Sequence, residues 1–143
     1  MLSSDHKAEI LRAVPLFASC PKRELHRIAA IADELSFREG LVLTRQGHPG
    51  REMFVLLEGT VKVERSGVEV NQLGPGDFLG EGALILGEPR NATITATSPI
   101  RALVITAMNF KQLLEDDPDI SQSVLETLDA RTPPDSSPSA QGL

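Results

Sequence analysis

Turn residues cut the stretch from about residue 36 to residue 105 into short runs in which side-chain character alternates. Leu41 and Leu43 interleave with Val42 and Thr44, Val61 and Val63 with Lys62 and Glu64, and Val68 and Val70 lead to Leu73. The breaks fall at Gln46–Gly50, Glu58-Gly59, Ser66-Gly67, Gly74-Pro75-Gly76 and Ser98-Pro99. A period of two puts successive side chains on opposite faces of a strand. Short strands at even spacing, parted by Gly-rich turns, pack as a sandwich or barrel. Aromatic residues make up only 3% of the chain, with no Trp or Tyr, so the core must be aliphatic. The predicted fold is mainly β: an antiparallel eight-stranded β-roll, jelly-roll-like, over about residues 36–105, with short flanking helices.

Helical spacing appears on both sides of the roll. A first helix is expected over about 6–13. A second is expected over about 21–35, with Ser19 as N-cap, Pro21 in the first turn, and Leu25, Ile28, Ala29, Ala32 and Leu35 on one face. Thr106 is placed to cap a helix over 107–114, and Asp117 with Pro118 to start another over 118–130. In the last, Ile120, Val124, Leu125 and Leu128 form the apolar face. One domain over 1–131 is expected. The Pro- and Ser-rich stretch 132–143 lacks the apolar content to offset its chain entropy and is expected to be a disordered tail.

Composition narrows the function classes. The net charge is −6 and no basic run occurs, which argues against nucleic acid as a direct partner. Cys20 is the only cysteine, so no intrachain disulfide forms, and its apolar setting predicts a buried, inert thiol. No apolar run reaches signal-peptide or membrane-span length, so a soluble cytoplasmic protein is expected. His6, His26 and His48 are scattered and predicted to be solvated. Without a His-x-His pattern a metal centre is disfavoured, and with it a cupin-like β-roll enzyme.

The stretch from Gly74 to Ile94, GPGDFLGEGALILGEPRNATI, carries the chemistry. Glu81 and Arg90 stand on either side of a glycine-rich turn. A guanidinium can neutralise a phosphate with a planar, bidentate fork. An ionised carboxylate can accept hydrogen bonds from sugar hydroxyls. Gly80 and Gly82 allow backbone N–H groups to approach a ligand closely. Other glycine-loop readings fail: Ile85 stands where a dinucleotide fingerprint needs its third Gly, and Glu88-Pro89 where a P-loop needs Lys-Ser/Thr.

This segment resembles the phosphate-binding cassette of cyclic nucleotide-binding domains. Gly80, Glu81, Ala83, Leu84, Pro89, Arg90, Ala92 and Thr93 fall in register with that cassette. VPLFASC at 14–20, FREGLVLTRQGHPGREMFVLLEGTVKV at 37–63 and MNFKQLLEDDPDI at 108–120 resemble the family's entry segment, strand meander and hinge helix. Gly82 stands where the family has Leu or Ile, an apolar side chain used to couple cassette and hinge. Asn91 stands where it has Ala, Ser or Thr.

The resemblance implies a stand-alone sensor module for a 3′,5′-cyclic nucleotide, cAMP favoured over cGMP, with no catalytic residues and no cofactor. It implies that Arg90 pairs with the cyclic phosphate and Glu81 with the ribose 2′-OH. Amides near Gly82 and Ala83 add donors, Asn91 joins the ligand-binding residues at the position after the arginine that bears on base preference, and Val61 and Val63 line the base pocket. Output is expected through repacking of the C-terminal helices toward a protein effector or a homodimer. The alternative is a degenerate β-roll interaction module that binds no nucleotide.

Overall fold

The computed structural model describes residues 2–85 and 87–130. The expected tail, 132–143, lies outside them. The described residues form two compact units: a helical one from residues 2–32 and 108–130, and a β unit from residues 33–107.

The β unit contains β1 (Asp33–Phe37), β2 (Val42–Thr44), β3 (Glu52–Glu58), β4 (Val61–Arg65), β5 (Val68–Leu73), β6 (Phe78–Leu79), β7 (Thr93–Ala96) and β8 (Ile100–Thr106). They form two four-stranded sheets, ordered β1-β8-β3-β6 and β2-β7-β4-β5. Every pairing is antiparallel. This is the mainly-β roll expected from the alternation. Its core draws on both sheets, with Phe54, Leu56, Ala102 and Val104 from one and Val61, Val63, Leu73 and Ile94 from the other. Phe54 and Leu56, Ala102 and Val104, and Val61 and Val63 each sit two apart along their strand, as a one-face core requires. The core is aliphatic apart from Phe54, which takes the Phe37 ring edge-on at 6.0 Å.

The helical unit contains α1 (Ser4–Arg12), α2 (Lys22–Ala29), most of α3 (Ala107–Asp116) and α4 (Pro118–Ala130), with a 3₁₀ turn at Pro15–Phe17. Phe17 and Phe110 meet at 5.8 Å between ring centroids. Helix α1 begins ahead of its expected start because the Ser3 hydroxyl accepts from the His6 amide at 3.1 Å.

Four sequence expectations need correction here. Ser19 does not cap α2: Pro21 holds the N-cap position, and the Ser19 hydroxyl accepts from Thr127 Oγ1 at 2.8 Å. Helix α2 stops at Ala29 instead of running to 35, because Asp33–Phe37 pairs residue for residue with Val104–Ile100 of β8. A full set of long-range ladder bonds outweighs weak local propensity. Leu35 is therefore 43% exposed on β1. On α4, Leu125 faces out, while Ser123 and Thr127 join Ile120 and Val124 on the buried face. Thr127 fits there because its Oγ1 has two polar neighbours within hydrogen-bond distance, Ser19 Oγ at 2.8 Å and the Ser123 carbonyl at 3.2 Å. Finally, His26 is not simply solvated; its ring bridges Ser4 Oγ at 2.9 Å and Asp5 Oδ1 at 3.0 Å.

Cys20 is buried, and burial first, then the neighbouring Glu24 charge and hydrogen bond, pushes its thiol up to about 12. Such a thiol is inert at neutral pH. Among the described residues no helix is long and apolar enough to cross a membrane, and no cluster of three His, Cys, Asp or Glu could hold a metal.

Asp117 performs the capping expected of it. Its Oδ1 accepts from the Asp119 and Ile120 amides at 3.2 and 3.3 Å, while Oδ2 meets Arg23 and Arg27 at 3.3 and 3.2 Å. Burial opposes ionisation of this carboxyl. The Ile120 amide and the two guanidiniums outweigh burial and hold its pKa below the ordinary value. A lowered carboxyl pKa contributes stability that is present above the unfolded value, about 3.9, and lost as pH falls through the folded value. Asp117→Asn should therefore lower the melting temperature by a few degrees at neutral pH. The gap from wild type should close as pH drops below about 4, and a gap that stays constant on acidification would show that the charge contributes nothing.

Candidate functional site

Strand β3 opens at Glu52 immediately after the Gln46–Gly50 turn, and Arg90 runs past it just before β7. The backbone brings these segments together. Gly47 N–H donates to the Arg90 carbonyl at 2.8 Å, Arg90 N–H donates to the His48 carbonyl at 2.7 Å, and Pro49 bridges to Pro89. Two glycines then make room for the Arg90 side chain. A Cβ on Gly50 would stand 3.3 Å from Arg90 Cδ and 3.0 Å from the Ala83 Cβ. A Cβ on Gly80 would stand 2.5 Å from Arg90 Nη1 and 2.6 Å from the Glu52 carbonyl oxygen. Gly80 also has φ +80°, a left-handed conformation that glycine adopts without steric cost. From there the chain turns into a 3₁₀ segment, Glu81–Leu84.

The result is a buried cation. Arg90 is only 8% exposed. Its Nη2 donates to the Glu52 carbonyl at 2.7 Å and to Glu52 Oε1 at 3.1 Å. Among the described residues both of its side-chain bonds use this one nitrogen. Burial lowers the guanidinium pKa, and the Glu52 charge and hydrogen bond recover only part of that. A desolvated guanidinium whose burial is only partly offset is suited to a stronger anion.

The residues singled out in the sequence separate into two groups. Gly80, Glu81, Gly82 and Ala83 follow one another through the 3₁₀ segment beside Arg90, with Glu81 7% exposed. The Ala83 amide is used within that turn, donating to the Gly80 carbonyl at 3.0 Å. Gly82 faces open space, since a Cβ there meets nothing within 4 Å. Asn91 is exposed directly after Arg90. Val61 and Val63 are fully buried in the roll core, with Ala96 and Ile94 as their register partners on β7.

Sequence reasoning missed Glu52 and Gly50. Both lie roughly forty positions from Arg90, and an acid opening a strand after a glycine turn carries no local signal of its role.

The profile of the cyclic nucleotide-binding domain matches residues 34–117, which spans the roll, Glu52, the 3₁₀ segment and Arg90. The chain belongs to the cyclic nucleotide-binding domain family. It is 35% identical over 119 residues to a cyclic nucleotide-gated potassium channel of Mesorhizobium japonicum, and equally so to one of Rhizobium etli. The match covers 83% of this chain and 33% of each channel, so the chain spans about a third of their length. Among solved structures, the N-terminal domain of a transcriptional regulator from Streptomyces coelicolor superposes with a TM-score of 0.77 at 29% identity, covering 85% of this chain and 91% of that one. A cyclic nucleotide-binding-like protein from Brucella abortus superposes at 0.72 with 30% identity, covering 78% of this chain and 99% of that one.

The two cassette glycines of this cyclic nucleotide-binding domain differ in what they tolerate. Gly80→Ala combines a left-handed backbone with contact to Arg90 and Glu52 and should cost on the order of 1–3 kcal/mol in denaturant unfolding. Gly82→Ala should stay within about 0.5 kcal/mol of wild type. Equal costs at the two positions would remove the steric basis for the cassette described above.

Proposed function

We propose that this domain is a cyclic nucleotide sensor that favours cAMP over cGMP. The observation that carries the reading is Arg90: a buried, incompletely compensated guanidinium in a slot that two glycines keep open. In this reading Arg90 pairs with the cyclic phosphate and Glu81 takes the ribose 2′-OH. The Gly80 and Gly82 backbone lets the phosphate close on the 3₁₀ segment, where the Gly82 amide rather than that of Ala83 supplies a donor. Asn91 brings no hydroxyl next to the phosphate; in the family such a hydroxyl accompanies cGMP preference. Val61 and Val63 are the base-facing positions, reached from the roll interior.

Output passes to the C-terminal helices and from them to a protein effector or a second copy. A route within the β unit supports this. The Arg90 guanidinium rests on the Glu52 carbonyl, Glu52 pairs with Thr106, and the Ala107 amide that opens α3 donates to the Arg51 carbonyl at 2.8 Å. Gated channels among the relatives give a precedent for protein output. Such a shift is bounded by the ligand's differential affinity for the two states, with tenfold supplying about 1.4 kcal/mol.

Calorimetry with cAMP and cGMP tests the ligand. Arg90→Lys should keep the melting curve and weaken cAMP by about 1.5–3 kcal/mol, because one ammonium does not replace a bidentate fork. Wild type should bind 2′-deoxy-cAMP more weakly than cAMP, and Glu81→Ala should erase most of that difference. Absence of binding by the folded protein would instead support the degenerate interaction module, with Arg90 and Glu52 as a structural pair. The switch is tested by hydrogen exchange: on cAMP binding, amides of 107–130 should change protection. Changes confined to 80–94 would leave a binder without a switch.

A further inference from the structure

We infer that Glu52 is a built-in competitor for the ligand's anion: in the free domain its carboxylate occupies Arg90, and binding requires its displacement. The inference rests on the sensor reading above and adds the residue that sets the affinity of that site.

Glu52 makes two contacts with the same nitrogen, and the two have different fates. Its carbonyl, 2.7 Å from Arg90 Nη2, belongs to the β3 backbone, which is held in register by the pairing of Glu52 with Thr106. That contact positions the guanidinium whether or not a ligand is present. Its carboxylate, at 3.1 Å, is the replaceable one. The Glu52 side chain is 35% exposed and the Arg90 side chain 6%, so the acid can swing into water while the base cannot follow it. Water rehydrates the freed carboxylate at little cost, whereas a buried guanidinium left without an anion is unfavourable. Exchange of one anion for another at Arg90 is therefore the accessible path.

Competition follows from charge. A cyclic phosphate on the Arg90 fork would meet the Glu52 carboxylate across a few ångströms, and two like charges sharing one partner repel strongly in a partly desolvated site. Part of the phosphate's attraction to Arg90 is thus spent on breaking an existing pair. Affinity falls, and adventitious weak anions are turned away, since an anion must bind better than a tethered carboxylate at high effective concentration. The threshold rises for every anion alike, so occupancy falls to ligands with further contacts, such as those of a ribose at Glu81.

The test is calorimetric titration of the full chain with cAMP for wild type, Glu52→Gln, Glu52→Ala and, as a charge control, Glu88→Gln on the exposed loop before Arg90. Melting curves establish that each variant is folded. Removing the carboxylate by either substitution should tighten cAMP binding by about tenfold, the scale of one partly exposed charge-assisted bond, while Glu88→Gln should shift it by less than about twofold. If wild type binds and the folded Glu52 variants bind equally or more weakly, the competitor role is overturned while the sensor reading stands. Binding by the Glu52 variants where wild type shows none supports the inference in its strongest form. Binding by none of the folded proteins overturns the sensor reading and this inference together.

Discussion

The β3–β8 ladder is the constraint on which the geometry around Arg90 depends. Its six register pairs run from Glu52 opposite Thr106 to Glu58 opposite Arg101. Strand β8 also carries β1 on its other edge, so it ties three strands of one sheet together. Arg101 reinforces this end by pairing with Glu34 and Glu58. At the opposite end the ladder sets the Glu52 carbonyl where Arg90 needs it and anchors the first residue of α3 on Arg51. One set of backbone bonds therefore fixes both the buried cation and the start of the C-terminal helices.

Burying a guanidinium is unfavourable unless its charge and donors are met. The fold meets them in part, with a carbonyl and a carboxylate from a single residue, and burial still holds the guanidinium pKa below its ordinary value. Gly50 and Gly80 contribute by what they lack, because a methyl at either would crowd the side chain. Incomplete compensation distinguishes this arginine from Arg101, whose partners raise its pKa above the ordinary value. The first keeps an unmet charge in a buried setting, and the second is a fastener between strands.

Much of this was legible in the residues. Alternation with turns at Ser66-Gly67, Gly74-Gly76 and Ser98-Pro99 announced the strands on either side, because strand periodicity and turn chemistry are local properties. Asp117 before Pro118 announced the start of α4 for the same reason. The cassette spacing from Gly80 to Thr93 announced the family. The errors cluster where a distant partner decides. Residues 30–35 carry a helical pattern, yet β8 draws Asp33–Phe37 into a strand. Ser19 is a good cap by type, yet Thr127, more than a hundred positions on, engages its hydroxyl.

Residue types and short-range spacing alone thus determined the mainly-β class, the turns, the helix start at Asp117, and the presence of Glu81 and Arg90 around a glycine-rich turn. All of these rest on interactions within a few positions along the chain. Only the tertiary structure decided where α2 ends, which face of α4 is buried, and that Glu52 and Gly50 stand against Arg90. The physical reason is that a counter-ion and a steric gap are defined by distance in space. Chain folding sets that distance, and nothing in the local order of residues encodes it.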